Sequence, residues 1–380
     1  MRSHLAAVSA GQQASVRHYW TTARMEHAIP LRPAATTRSG PAAPARQALM
    51  RAQAGQPASP AGALLGSIAG QAGNVVGSVT GLTGQAGNAG QAAGTQGQVA
   101  GTQGRVAGTQ GQATGAPVTR ARQRGAQGAT VLPMAATSAA KWATGGAVAR
   151  TTGKVFFTLG GADYVCSGSV VSSTGSDVVA TAAHCVNNGG GTAGTTEAAS
   201  GSGGSSGWAT NWTFVPGYSG GNDPYGSYTA RQFFVASQWT SQGDNDYDVA
   251  FVTVNPANMN GVSVPVQQET GGQGIKFGSR PSTVTVFGYP SDPPYNGEQL
   301  YYCGGKTSGD PYSSTTDRGV RCALTAGTSG GPWLSSFNRA SGTGVITSVS
   351  SFKYSTSNHL LYGPLLGSTA QSLYQDAENS

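Results

Sequence analysis

From Pro30 to about Arg124 the chain is written in Gly, Ala, Gln and Pro and is nearly free of aromatic side chains, so it has little with which to build a core. Even its regularity argues against packing. Gly94-Thr95-Gln96-Gly97-Gln98-Val99-Ala100 recurs at 101–107, with Arg105, and in degraded form at 108–114. Seven residues is a coiled-coil period, but each repeat carries two glycines and at most one large apolar residue. No apolar seam exists, and each helical glycine costs about 1 kcal/mol. The segment reads as a disordered, flexible linker. Any fold must come from the residues flanking it, chiefly those from 141 onward.

Charge divides the chain at the same place. Residues 1–150 hold 13 Lys/Arg against one acid, Glu26, for a net +12; residues 151–380 hold 9 Lys/Arg against 14 acids, for a net −5. The overall +7 therefore belongs to the N-terminal part and gives no ground for a nucleic-acid partner. All four cysteines, Cys166, Cys185, Cys303 and Cys322, lie in the C-terminal part. No C-x-x-C suggests a zinc site. Cys166–Cys185 and Cys303–Cys322 form the simplest of three connectivities, the rival being four buried thiols; disulfides would place the domain in an oxidising, extracellular compartment. A secretory signal needs a continuous apolar run of roughly 7–15 residues. Leu5-Ala6-Ala7-Val8 is too short, and no stretch is long enough to span a membrane.

Beyond Trp142 the chain alternates short β-branched or aromatic runs with Gly, Asn, Asp and Pro clusters. Val155–Leu159, Tyr164–Cys166, Val178–Ala180, Ala250–Val254, Val284–Phe287 and Val345–Val349 predict an all-β barrel or sandwich. Gly189–Gly207 reads as an inserted surface loop, and Ser368–Ala377 as a helix with Leu373 and Tyr374 on its packing face. Before the linker, Tyr19–Glu26 could form a short amphipathic helix.

Three strings within the β-rich region carry chemistry. In Gly327-Thr328-Ser329-Gly330-Gly331-Pro332, Ser329 is a candidate nucleophile and the Gly327 and Ser329 N–H groups are candidate donors to an oxyanion. Glycine at 327 lets the peptide turn its N–H toward a substrate without a Cβ clash. In Thr181-Ala182-Ala183-His184-Cys185, His184 ends a predicted strand and is the candidate base. His4, His18, His27 and His359 have no such setting. Asp248 is the candidate acid because it opens the apolar run 249–254, whereas Asp244 and Asp246 fit the preceding turn. The order His, Asp, Ser is one of three known for such triads.

Over about residues 145–376 the chain resembles the chymotrypsin-like, or trypsin-superfamily, serine peptidases, on Thr181–Cys185, Asp248-Val249-Ala250 and Gly327–Pro332. Cys166-Ser167-Gly168-Ser169, Phe287-Gly288-Tyr289-Pro290 and Cys322–Trp333 resemble the secreted bacterial (actinobacterial) and fungal branch more than the animal digestive enzymes. The resemblance implies two six-stranded antiparallel β-barrels with the cleft between them and a short C-terminal helix. It implies Cys166–Cys185 behind the base, and Ala323, Ser348, Val349 and Ser350 about the substrate. The expected activity is a serine endopeptidase, secreted, monomeric, and acting on protein or peptide substrates without metal or cofactor. Residues 1–30 become a candidate propeptide remnant, 31–140 a basic linker able to touch anionic cell-wall polymer, and 141–380 the peptidase domain. A non-catalytic surface module tethered by the basic arm is the alternative.

The departures from the resemblance are informative. Thr328 stands where animal members keep the aspartate of the zymogen switch, and Ala323 where trypsins keep the aspartate of the specificity pocket. Activation by N-terminal insertion and an Arg/Lys preference are therefore not expected. Thr347 and the neutral residues 348–350 point to an uncharged side chain in the pocket.

Overall fold

A computed structural model describes residues 1–32, 139–190, 207–355 and 357–380. Residues 33–138 of the proposed basic linker and most of the Gly189–Gly207 loop lie outside the described residues.

Six strands close into an antiparallel barrel: β4 (Thr152–Leu159), β5 (Ala162–Val170), β6 (Val178–Thr181), β7 (Thr210–Pro216), β8 (Tyr228–Val235) and β9 (Ala250–Val254). The ladder runs β8-β7-β4-β5-β6-β9, and a β8–β9 pairing completes it. The β-branched and aromatic runs fill it, with Val155, Phe157, Val179, Phe214, Phe233 and Val252 wholly or almost wholly buried. The hairpin β10 (Ala257–Met259)–β11 (Val262–Val264) follows.

The second sheet has β12 (Gly274–Ile275), β13 (Thr283–Gly288), β14 (Tyr301–Gly309), β15 (Arg318–Arg321), β16 (Pro332–Asn338), β17 (Thr343–Val349), β18 (Phe352–Tyr354) and β19 (Ser357–Gly363). With β3 (Ala140–Lys141) added beside β14 it counts nine strands, in the order β12-β17-β16-β13-β14-β15-β19-β18. The chain runs from β17 directly through Ser350 and Ser351 into β18, so this one stretch pairs with β16 at its start and with β19 at its end, the Ser351 N–H donating to the Tyr362 carbonyl, and the second sheet curls back on itself as the all-β reading expected. Gly363 of β19 lies directly against Ser348 and Val349 of β17.

Both cysteine pairs are bonded: Cys166–Cys185 within the first barrel and Cys303–Cys322 within the second sheet. Each closes a 19-residue separation, a constraint on the unfolded chain worth ~3 kcal/mol. The two β units are joined by Lys154, whose buried ammonium pairs with Glu298 at 3.3 Å, while the Tyr218 hydroxyl donates to the same carboxylate at 2.9 Å. Removing one partner of a buried pair costs about 3–5 kcal/mol.

The first 32 residues are part of the first barrel. β1 (Arg2–Leu5) lengthens its sheet by pairing with β8, and β2 (Ile29–Pro30) lies parallel to β5. Between them run α1 (Ala10–Tyr19), opened by a Ser9–Gln12 capping box, and α2 (Thr22–His27), capped by Thr21. The Tyr19–Glu26 helix of the sequence reading is thus split at Trp20–Thr21, because the buried Trp20 indole turns down onto Phe156. Leu31 is buried, and the Arg32 guanidinium then forks onto Asp292 beyond β13, at 3.1 and 2.8 Å. The short helices α3 (Ala147–Thr151), α4 (Ser237–Gln242) and α5 (Val266–Thr270) lie in connections. The C-terminal α6 (Ser368–Glu378) buries Ala370, Leu373, Tyr374 and Ala377, the face expected from its spacing.

Candidate active site

Strand pairing brings the base and acid together. Thr181 of β6 pairs with Ala250 of β9, so the residues just past one strand meet those just before the other. His184 sits in the single 3₁₀ turn Ala183–Cys185 and is fully buried. Its N–H donates to Asp248 Oδ1 at 2.9 Å and its Nδ1 lies 2.7 Å from Oδ2. Cys185 is held by its disulfide and by the Trp212 indole N–H on its carbonyl. Asp248, 1% exposed, follows the turn Asn245–Tyr247. Within that turn Asp244 caps Asp246, as its turn-like sequence suggests.

Ser351 Oγ donates to Asp248 Oδ2 at 2.5 Å. Sequence reasoning missed this residue: it stands in a run of serines, and only the fold turns one of them toward the carboxylate.

Ser329 reaches the same place through its backbone. Its carbonyl accepts the Ser167 N–H at 2.7 Å, and Ser167 neighbours the disulfide-bonded Cys166. The next N–H, Gly330, donates to the Ser350 carbonyl at 2.7 Å, beside Ser351 and therefore beside Asp248. Gly330 has φ +79°, and a Cβ there would strike Thr181 and Ser167 and come 2.7 Å from Ala182 N. Only glycine allows the turn carrying Ser329 to press on the end of β6. His184 Nε2 is buried with no hydrogen-bond partner among the described residues.

The Ala326–Gly327 peptide is oriented from behind. The Ser291 N–H donates to the Ala326 carbonyl at 2.7 Å, and in a trans peptide this turns the Gly327 N–H to the opposite side. Ser167 Oγ donates to the Gly327 carbonyl at 2.8 Å and accepts the Tyr289 N–H at 2.9 Å. Gly327 has φ +95°, and a Cβ would come 2.5 Å from Ser291 Oγ and 2.6 Å from Tyr289 O. Neither the Gly327 nor the Ser329 N–H donates to a protein acceptor among the described residues. Ser167, an inconspicuous serine in sequence, links the first barrel to this turn.

The residues expected about the substrate are dispersed. Ala323 is exposed in the turn after Cys322. Ser348 and Val349 are buried in β17; Ser348 Oγ donates to the Pro364 carbonyl, and Val349 pairs with Pro332. Ser350 Oγ accepts the Trp333 indole N–H, and its backbone is paired with Gly330 and Gly331. None of 348–350 therefore offers a free wall. The one grouping with metal-like spacing among the described residues is Cys166, Cys185 and His184 within 4.8 Å; both sulfurs are spent in the disulfide.

Asp317 lies behind this centre. It is 1% exposed and neither carboxyl oxygen has a hydrogen-bond partner among the described residues. Burial, followed by the charges of Asp246, Asp248, Asp310 and Asp244, pushes its pKa well above the carboxylate range. Above pH 4 the unfolded chain loses this proton and the folded chain keeps it, so stability falls as pH rises from there toward the raised pKa. Asp317→Asn is expected to unfold at a higher temperature than wild type at pH 7, by about 2–4 °C for each kcal/mol regained. The gap should close near pH 4 in thermal melts. An equal or lower midpoint at pH 7 would contradict the neutral, unpartnered state.

A buried His–Asp pair and a serine on a glycine-rich turn are brought together where the two β units of this double-β fold meet. The chain belongs to the trypsin family, whose family model matches residues 143–364, and it is a serine-type endopeptidase. Among solved structures it is similar to the protease Anisep from Arthrobacter nicotinovorans, at 36% identity over 63% of this chain and 99% of that one, with a TM-score of 0.54. It is also similar to the thermostable serine protease AL20 from an extremophilic microorganism, at 32% identity over 62% and 99% of the two chains and a TM-score of 0.53. Comparison with the curated proteins finds no match.

Proposed function

We propose that this endopeptidase cleaves peptide bonds through Ser329, His184 and Asp248. Ser329 Oγ attacks the carbonyl carbon while His184 Nε2 takes its proton, and the oxyanion is held by the N–H groups of Gly327 and Ser329. The imidazolium returns the proton to the leaving amine, giving an acyl-enzyme; water then repeats the sequence and frees Ser329. Asp248, held by Ser351, keeps the His184 Nδ1–H pointed inward. The observation that carries this reading is the buried 2.7 Å His184–Asp248 contact with Nε2 left unbonded, together with the Ser329 turn pressed on the end of the strand that leads to His184. A fluorophosphonate probe should label the full chain once, at Ser329, and should not label Ser329→Ala. Labelling that survives that substitution would overturn the assignment, as would a wild type that takes no label, the outcome for a domain that only binds.

The substrate-pairing edge is best assigned to Ser351–Lys353, since 348–350 are committed within the sheet. The two disulfides fit an oxidising, extracellular setting for a secreted, monomeric enzyme. Residues 1–32 act in this reading as a propeptide-like segment that stays in place. A cut within 33–138 should leave them bound, because β1 is hydrogen-bonded into the barrel and Trp20 and Leu31 are buried in it. After limited proteolysis the short fragment is expected to co-elute with the domain in native gel filtration and to separate only in denaturant. Its loss on the native column would exclude a retained segment.

A further inference from the structure

Lys353 stands in the middle of β18, two residues beyond the serine that holds Asp248. Its ammonium reaches across to the Cys322 carbonyl at 2.8 Å, while the Cys322 N–H donates to the His359 carbonyl on β19 at 2.9 Å. Ala323, the next residue, opens the turn that ends at Ser329. The ammonium is therefore strung between the strand tied to Asp248 and the loop that delivers the nucleophile. With Ser329 as nucleophile and Ser351–Lys353 as the proposed substrate-pairing edge, the side chain next to the scissile carbonyl enters between that edge and the 323–329 turn.

We propose that Lys353 selects substrates carrying an acidic side chain, glutamate or aspartate, on the acyl side of the cleaved bond. The inference rests on Ser329 as nucleophile and replaces the uncharged preference expected from residues 347–350. The far side of the interval supplies no competing charge of its own, since Ala323 and the buried Leu324 are apolar. Arg321 and His359, exposed on β15 and β19, add basic character around the same backbone. Burial also lowers the Lys353 pKa to about 8, the mark of a cation partly withdrawn from water, which an arriving carboxylate stabilises in its charged form.

The test uses full-length protein and fluorogenic peptides identical except for Glu, Asp, Gln, Leu or Lys before the cut. Wild type should favour Glu over Gln by about 10- to 100-fold in kcat/KM, the range for a hydrogen bond to a charged group. Lys353→Gln should bring that ratio toward one, and Lys353→Arg should retain part of it. A lysine serving only to hold the fold would lower both substrates together and leave the ratio intact, which would overturn the proposal. A wild-type preference for Gln, Leu or Lys would do the same. The fluorophosphonate label separates the two levels: labelled protein without acidic preference refutes Lys353 alone, whereas unlabelled protein refutes the nucleophile and this inference with it.

Discussion

Replacing Ser329 by alanine is expected to lower kcat by about a million-fold, with little change in the unfolding midpoint. The substitution removes one oxygen from a residue that is 4% exposed and held by its backbone, whose carbonyl still accepts the Ser167 N–H and whose neighbour Gly330 still donates to Ser350. The turn therefore persists while the nucleophile is lost. What remains is the oxyanion site and substrate binding, which hold a residual advantage of about 10³–10⁴ over water. Steady-state kinetics on wild type and variant at equal protein concentration, paired with thermal melts, measures both. A loss below a hundredfold would place the nucleophile elsewhere.

Asp248→Asn should lower kcat about 10⁴-fold while Ser329 remains in place. Asp248 receives two hydrogen bonds from one residue, the His184 N–H on Oδ1 and the ring on Oδ2, and a third from Ser351. An amide has one acceptor oxygen and one donor nitrogen. If the oxygen keeps the backbone N–H, the amide nitrogen faces Nδ1, forces the ring proton onto Nε2, and removes the lone pair that must accept the Ser329 proton. The loss should be in kcat far more than in KM, and it should lessen at high pH, where Ser329 can ionise without its base. A variant within tenfold of wild type would mean that Asp248 does not orient the imidazole.

Much of this centre was legible because its chemistry is local in sequence. The Gly327–Pro332 string carries its own backbone geometry, since glycine is required at 327 and 330 by positive φ and close neighbours. Asp248 was separable from Asp244 and Asp246 because the apolar run after it marks where a buried strand begins. Ser351, Ser167 and Lys353 were not legible. Each acts on a residue far away in the chain, 103 positions for Ser351 to Asp248, 160 for Ser167 to Gly327 and 31 for Lys353 to Cys322. Nothing in a serine's neighbours says which carboxylate or carbonyl it will meet.

The N-terminal segment makes the same division in the fold. Its capping residues, Ser9 and Thr21, start helices by hydrogen bonds within a few positions. Its place in the barrel depends on an open edge of β8 and on Phe156 beneath Trp20, which exist only once residues beyond 150 have folded. The sequence alone therefore determined an all-β C-terminal domain and singled out His184, Asp248 and Ser329 as candidates, because β periodicity, turn glycines and cap bonds act over a few residues. The tertiary structure alone decided how the Gly327 N–H is aimed, which serine braces Asp248, where Lys353 sits and that residues 1–32 pack onto the first barrel. Those outcomes depend on strand registry and on hydrogen bonds between distant segments, which exist only after the chain has closed on itself.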